Sequence, residues 1–271
     1  MRIINLASGS KGNSTFLELN GTKILIDVGL GVSQLSQRLL DIGEKIGEIK
    51  AVCITHEHID HIRAIKSLAV KFNMDFYVER KLADSGYLSD VKFKEGKLHK
   101  IDYNKFFIDD FEIMPFEISH DAISPVGFVV NAKNSKSKIG FITDTGIVTE
   151  SAKIALTGAK IVFIESNYDE NMLINGTYAY PLKMRILGKR GHLSNEQSLE
   201  FANYLYENGS KCFVLCHLSE NNNLPEIAFS NYTQFFEKKG CELDKDVFVR
   251  LSYQNKCGNT ITLKEDYEDG K

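Results

Sequence analysis

The chain has 271 residues, 43% hydrophobic and 25% charged, the balance of a soluble globule with enough apolar material for a sizeable core rather than of a disordered chain. No apolar run approaches the roughly 18 residues that a membrane span requires, and the first residues, MRIINLASGSKGNS, lack the segments of a secretory signal; a cytoplasmic protein without membrane attachment is expected. The formal net charge of -3 offers no general attraction to a polyanion, so any nucleic-acid contact must come from a local basic patch.

Strand-rich runs open the chain, at Arg2 to Leu6, Thr15 to Leu19 and Thr22 to Asp27, separated by Gly/Ser/Asn turns. A helix is predicted from Ser33 through Leu40, a short apolar strand over Ala51 to Ile54, and a helix from Asp60 to Phe72, where Ile62, Ile65, Leu68, Ala69 and Phe72 recur at helical spacing. Further strands are predicted at Phe111 to Ile118, Val126 to Val130, Lys138 to Thr143, Ile161 to Ile164 and Lys211 to Leu215, with a final one at Asp246 to Leu251. Helices are placed after Thr149, after Ser194 and over Pro225 to Phe236; Ser194 with Gln197 reads as a capping box. One α/β domain over residues 1–264 is expected, two strand-rich halves with helices outside, followed by a disordered acidic tail, 265–271. The five cysteines, Cys53, Cys212, Cys216, Cys241 and Cys257, form no CxxC pair and read as reduced thiols.

The densest chemistry is His56-Glu57-His58-Ile59-Asp60-His61, at the junction of a predicted strand and helix. In an extended segment His56 and His58 project to one side and can hold one cation, while Asp60 and His61 on the first helical turn can hold a second. Three of the chain's seven histidines fall within this hexapeptide. Imidazole and carboxylate donors suit zinc, manganese or iron, and the lack of a Cys argues against a purely structural zinc knot.

The hexapeptide resembles the HxHxDH signature of the metallo-β-lactamase superfamily. The resemblance continues in order through Asp27, in ILIDVG, and through His120, Asp144 and His217, each at the end of a predicted strand. It implies an αββα sandwich of two mixed sheets flanked by helices, with two divalent metal ions, zinc or manganese. His56, His58 and His120 would bind one, Asp60, His61 and His217 the other, Asp144 would bridge them, and Asp27 would orient a ligand or loop. Two such ions about 3.5–4 Å apart can share a water, lower its pKa toward 7 and aim a bridging hydroxide at an ester or phosphate.

His58, where diiron oxidases of the superfamily carry Glu, disfavours redox chemistry, and Asp144 together with His61 disfavours the lactamases. The segment RILGKRGHLSNEQ, Arg185 to Gln197, resembles the histidine motif that nucleases of the superfamily place beside the scissile phosphate. His192 could give a proton to the leaving alkoxide or stabilise phosphate charge; as a plain pre-helix turn it would do neither. Arg185 and Arg190, with Lys183 and Lys189, could track phosphates or simply solvate a helix face. Ser194 could donate to a phosphate oxygen or serve only as an N-cap. Ser10 and Asn13, in the loop SGSKGNS, could grip a phosphate or form a hairpin turn.

Taken with ESNYDENML, GHLSNEQS and CHLSENNN, these segments look like the YycJ/WalJ-type branch, and the resemblance implies a 5′ to 3′ DNA exonuclease with Asp60 and His192 as catalytic groups. A small-molecule ester, thioester or lactone hydrolase with the same metals is the enzymatic alternative, and a non-catalytic metal-binding regulator is the other. The interval from Asp144 to His217 is too short for the inserted nucleic-acid domain of RNase J-type enzymes. A homo-oligomer is left open.

Overall fold

A computed structural model describes residues 1–263; the acidic segment 265–271, expected to be disordered, lies outside them. The strands are β1 (Arg2–Ala7), β2 (Ser14–Leu19), β3 (Thr22–Ile26), β4 (Ala51–Cys53), β5 (Asp75–Glu79), β6 (Leu98–Ile101), β7 (Phe106–Ile108), β8 (Phe111–Glu117), β9 (Val126–Ala132), β10 (Lys138–Ile142), β11 (Ile161–Glu165), β12 (Cys212–Cys216), β13 (Phe248–Leu251) and β14 (Ile261–Thr262). The α-helices are α1 (Val32–Asp41), α2 (Ile59–Ile62), α3 (Ile65–Lys71), α4 (Arg80–Asp84), α5 (Glu150–Leu156), α6 (Glu170–Asn175), α7 (Tyr180–Leu187), α8 (Asn195–Glu207) and α9 (Pro225–Lys238).

Among the described residues the strands form two sheets, ordered β14-β1-β2-β3-β4-β5-β6 and β13-β12-β11-β10-β9-β8-β7. Each half starts as an antiparallel meander and then turns parallel, after three strands at the β3/β4 pair in one sheet and after four at β10/β11 in the other. Parallel neighbours need a crossover, and helices supply it on the outer faces.

Alternation along the strands builds three apolar layers. In β1, Ile3 points between the sheets and Ile4 toward the helices outside; in β12, Val214 and Cys216 point inward while Phe213 and Leu215 meet the opposite helix layer. The inter-sheet layer joins Leu17, Ile24 and Cys53 to Phe128, Phe141 and Phe163. This is the expected two-sheet sandwich flanked by helices.

Several details differ from the sequence reading. The helix expected over Asp60 to Phe72 is two helices, because Val28 takes the helix's hydrogen-bonding groups at the break: its N–H donates to His61 O (2.8 Å) and its carbonyl accepts from Ala64 N (2.9 Å). Asp246 to Leu251 does not contain the last strand, since Ile3 pairs with Ile261 in β14. The edge strands β6, LHKI, and β7, FFI, are too short and half-exposed to show an alternation. No described helix is long and apolar enough to cross a membrane.

Candidate metal centre

The site lies where the parallel strands of both sheets end, the position at which loops leave a rigid sheet and can converge. Asp27 follows β3, residues 55–61 follow β4, Asp144 follows β10, Glu165 closes β11 and His217 follows β12; His120 sits in the β8–β9 connection. Asp27, Asp144 and His217 all have positive φ, 61°, 58° and 55°. For residues other than glycine this region costs roughly 1–3 kcal/mol, so the chain accepts strain at three strand ends to turn these side chains into one pocket.

The approach is close enough to demand glycine at position 29, where an added Cβ would lie 1.5 Å from Asp60 O. Around it, Asn13 N donates to Asp60 O (2.7 Å) and Gly29 N to Asn13 O (2.9 Å), which locks the first loop, the end of β3 and the start of α2 together. Asn13, expected as a phosphate contact, is buried. Its Nδ2 donates to Asp60 Oδ2 (3.2 Å) and lies 3.0 Å from His61 Nε2. Ser10 is exposed on the same loop, which joins antiparallel neighbours as a hairpin connection.

Asp27 is a hub. Its carboxylate accepts from Thr55 N (2.8 Å), Thr55 Oγ1 (2.8 Å) and His61 Nδ1 (2.7 Å). The His61 ring is thereby fixed with Nε2 toward Asp144 Oδ2 at 3.2 Å. Burial disfavours charge on His61, yet Asp27 and Asp144 outweigh it and hold the imidazolium well above its ordinary range. His56, fully buried among the other imidazoles, is pushed well below.

The ligand atoms of His56, His58 and His120 lie within 4.8 Å of one another, as do those of Asp60, His61 and His217; Asp144 joins His56 and His61 in a third such group. His56 Nε2, His217 Nε2 and Asp144 Oδ2 are buried and make no aligned hydrogen bond in the protein, the His61 ring meeting Asp144 Oδ2 only as a close charge contact. An orphaned buried polar atom costs about 1–3 kcal/mol. Here three of them point into one histidine and carboxylate cluster, so the donor set fits divalent cations, which would satisfy all three.

Glu165 was missed as a site residue. It is fully buried, and its Oε1 accepts from His192 Nδ1 (2.8 Å) and His217 Nδ1 (2.9 Å), while Oε2 accepts from Thr145 N (3.0 Å) and Leu193 N (3.1 Å). Burial works to raise its pKa, but the two histidines win and bring the carboxyl down to about 2. The signal was present: IVFIE ends an apolar strand on a carboxylate, as ILID does.

His192 thus stands beside the cluster, with Asp144 Oδ1 3.8 Å from its Nδ1. The basic segment is largely engaged locally. Arg185 pairs with Asp121 (2.5 and 3.1 Å), Arg190 donates to His120 O (3.0 Å) and Ala122 O (3.3 Å), and Lys183 donates to the carbonyls of Ile174 and Gly176. Ser194 is the N-cap of α8 with a complete capping box, Gln197 N donating to its Oγ (3.1 Å) and its own N to Gln197 Oε1 (2.9 Å).

Residues 22–217 match the family described as the beta-lactamase superfamily domain. The chain is 39% identical over 227 residues to the exodeoxyribonuclease WalJ of Streptococcus pneumoniae, covering 82% of this chain and 83% of that protein. It is 32% identical over 237 residues to the exodeoxyribonuclease YycJ of Bacillus anthracis, covering 87% and 89%. The crystal structure of the metallo-beta-lactamase fold protein YhfI from Bacillus subtilis superposes with a TM-score of 0.70 at 13% identity, over 96% of this chain and 98% of that one, which speaks for the fold alone. With its ordered His/Asp pocket at the strand ends of a two-sheet sandwich, the chain belongs to the metallo-β-lactamase superfamily, in the branch that holds the WalJ and YycJ proteins.

Proposed function

We propose that this protein is a dinuclear metal-dependent phosphodiesterase that shortens DNA from a 5′ end. The observation that carries the reading is the pair of three-residue groups, His56/His58/His120 and Asp60/His61/His217, meeting around Asp144 with His192 beside them. The exodeoxyribonuclease relatives supply the substrate class. Zinc or manganese bound there would supply Lewis acidity toward a phosphate oxygen and bring the pKa of the attacking water toward neutrality.

The protein's own groups do the rest. Asp60, positioned by Asn13, accepts the proton of the attacking water at Oδ2. Glu165 holds His192 Nδ1, so the ring presents Nε2 to the substrate, where it protonates the leaving alkoxide. Glu165 also holds His217 by Nδ1, which turns His217 Nε2 toward Asp60 Oδ2 at 3.6 Å. Arg185 can exchange Asp121 for a phosphate, because its ion pair is half exposed; Arg190, Ser10 and Ser194 are the further proposed phosphate contacts.

The test is incubation of purified protein with manganese or zinc and 5′-phosphorylated single- and double-stranded DNA. Stepwise shortening that His58→Ala abolishes is expected. Wild type as silent as that variant, with turnover of thioesters or lactones instead, makes the protein a small-molecule hydrolase; silence on every substrate despite full metal loading makes it a binding protein.

A further inference from the structure

The segments ESNYDENML, GHLSNEQS and CHLSENNN each bring one buried asparagine to the same place: Asn167, Asn195 and Asn223. Asn195 and Asn223 face each other as an amide pair (3.0 and 2.9 Å), and Asn223 Nδ2 also reaches Asn167 O (3.1 Å). Asn167 is the member that touches the histidine segments. Its N–H donates to Leu193 O (3.0 Å), beside His192, and its carbonyl accepts from Ser219 N (2.8 Å). Its Nδ2 donates to His217 O (2.7 Å).

His217 needs such a hold. It leaves β12 with φ 55°, a backbone conformation that persists only where the surroundings over-determine it. On the other side of the same residue, Ser8 Oγ accepts from His217 N (2.8 Å). Ser8 and Asn167 are both buried and come from different sheets, one after β1 and the other after β11. Glu165 fixes the His217 ring at Nδ1, and these two fix the backbone that carries it. Only with both settled does Nε2 have a single direction. Position 167 requires an N–H donor, because an apolar side chain there would leave the buried His217 carbonyl unpaired.

We infer that Asn167 and Ser8 are positioning residues that clamp the backbone of His217 and so hold its ring as a ligand. Neither belongs to any of the groups able to hold a metal ion. The inference rests on the dinuclear reading and adds to it two residues outside the donor set.

Calorimetric titration of the metal-stripped protein with zinc tests it, with thermal unfolding alongside to show that each variant is folded. Asn167→Leu keeps a branched side chain and removes the donor; it should weaken one of the two ions about 10- to 100-fold and leave the other unchanged. Ser8→Ala should weaken the same ion. In a His217→Ala background, Asn167→Leu should have no further effect on metal binding, because the ring through which it acts is gone.

Two ions bound by Asn167→Leu as tightly as by wild type overturn the inference. So does an equal weakening of both ions, or a loss that persists in His217→Ala, since either is the effect of a loosened fold rather than of one misdirected ring. Should Asn167→Leu fail to fold, Ser8→Ala decides by the same criteria. If wild type binds two ions and the variants match it, only the clamp falls. If wild type binds a single ion, the dinuclear reading falls, and the clamp falls with it unless Asn167→Leu weakens that ion.

Discussion

Replacing Glu165 by Gln keeps the side chain's shape and removes its charge at the most connected buried carboxylate of the site. The carboxylate receives four hydrogen bonds, from His192 Nδ1 and His217 Nδ1 on one oxygen and from the amides of Thr145 and Leu193 on the other. A carboxamide has one oxygen and one NH₂ group. If the NH₂ faces the two backbone amides, donors confront donors; if it faces the imidazoles, both rings must change tautomer and present their protons to the cluster. Either way two bonds to a charged acceptor are lost, each worth about 1.5–3 kcal/mol, for a total of about 3–6 kcal/mol. That is a large share of a typical domain's 5–15 kcal/mol. For a protein of this size each kcal/mol moves the melting point by about 2–4 °C, so Glu165→Gln should melt roughly 6–24 °C below wild type. The assay is thermal unfolding of both proteins, metal-stripped, at neutral pH. A variant that melts within about 2 °C of wild type would refute the reasoning, because four hydrogen bonds to a buried charge could not then be what holds these two rings.

Other substitutions probe other links. Asp27→Asn disrupts the acceptor that fixes His61, and metal affinity measured by calorimetric titration should fall about 10- to 100-fold. Gly29→Ala places a methyl 1.5 Å from Asp60 O and should destabilise by more than about 4 kcal/mol, read as lost soluble protein or a lowered urea midpoint. Glu44 receives Arg2 (2.5 Å) and Lys23 (2.6 Å). Burial works to raise its pKa, but these partners bring it below the ordinary 4.5. The unfolded chain therefore takes the proton first, and the bridge's contribution is complete above the ordinary carboxylate range and lost as pH falls through the folded value. Glu44→Gln should cost about 1–2 kcal/mol at pH 7, a gap that closes on acidification; a gap constant with pH refutes the assignment. Burial pushes the Cys216 thiol up to about 12 and that of Cys212 to about 11, and Cys53 is fully buried. Iodoacetamide at pH 7.5–8 (about one unit below an ordinary thiol) should leave Cys53, Cys212 and Cys216 unlabelled until denaturant is added.

The inner strands of the sandwich were legible because a strand with one face in each apolar layer is apolar on both and reads as a short continuous run, as AVC does in β4 and CFVLC in β12. The candidate ligands were legible because His56, His58, Asp60 and His61 crowd one hexapeptide and Asp27, His120, Asp144 and His217 stand in the order of the resemblance; a lone strand-end Asp would by itself mark only a turn. Glu165 ended such a strand too, but a single carboxylate without a histidine beside it in sequence gave no role; only the fold brings His192 and His217 to its oxygen. The break between α2 and α3 could not be read either, since the residue that interrupts the helix is Val28, thirty-odd positions earlier. Asn13 looked like a loop residue free to meet a phosphate, and the fold buries it as a strut under Asp60.

The order of side chains by itself determined the kinds of donor and the strand ends on which they sit, because hydrophobic periodicity and local spacing are properties of neighbouring residues. Which donors face one another, which hydrogen bonds aim each ring, and which polar atoms are left without a partner were decided by tertiary structure alone. Those relations join segments far apart in the chain, and their energies exist only after the two sheets have packed and water has been excluded from between them.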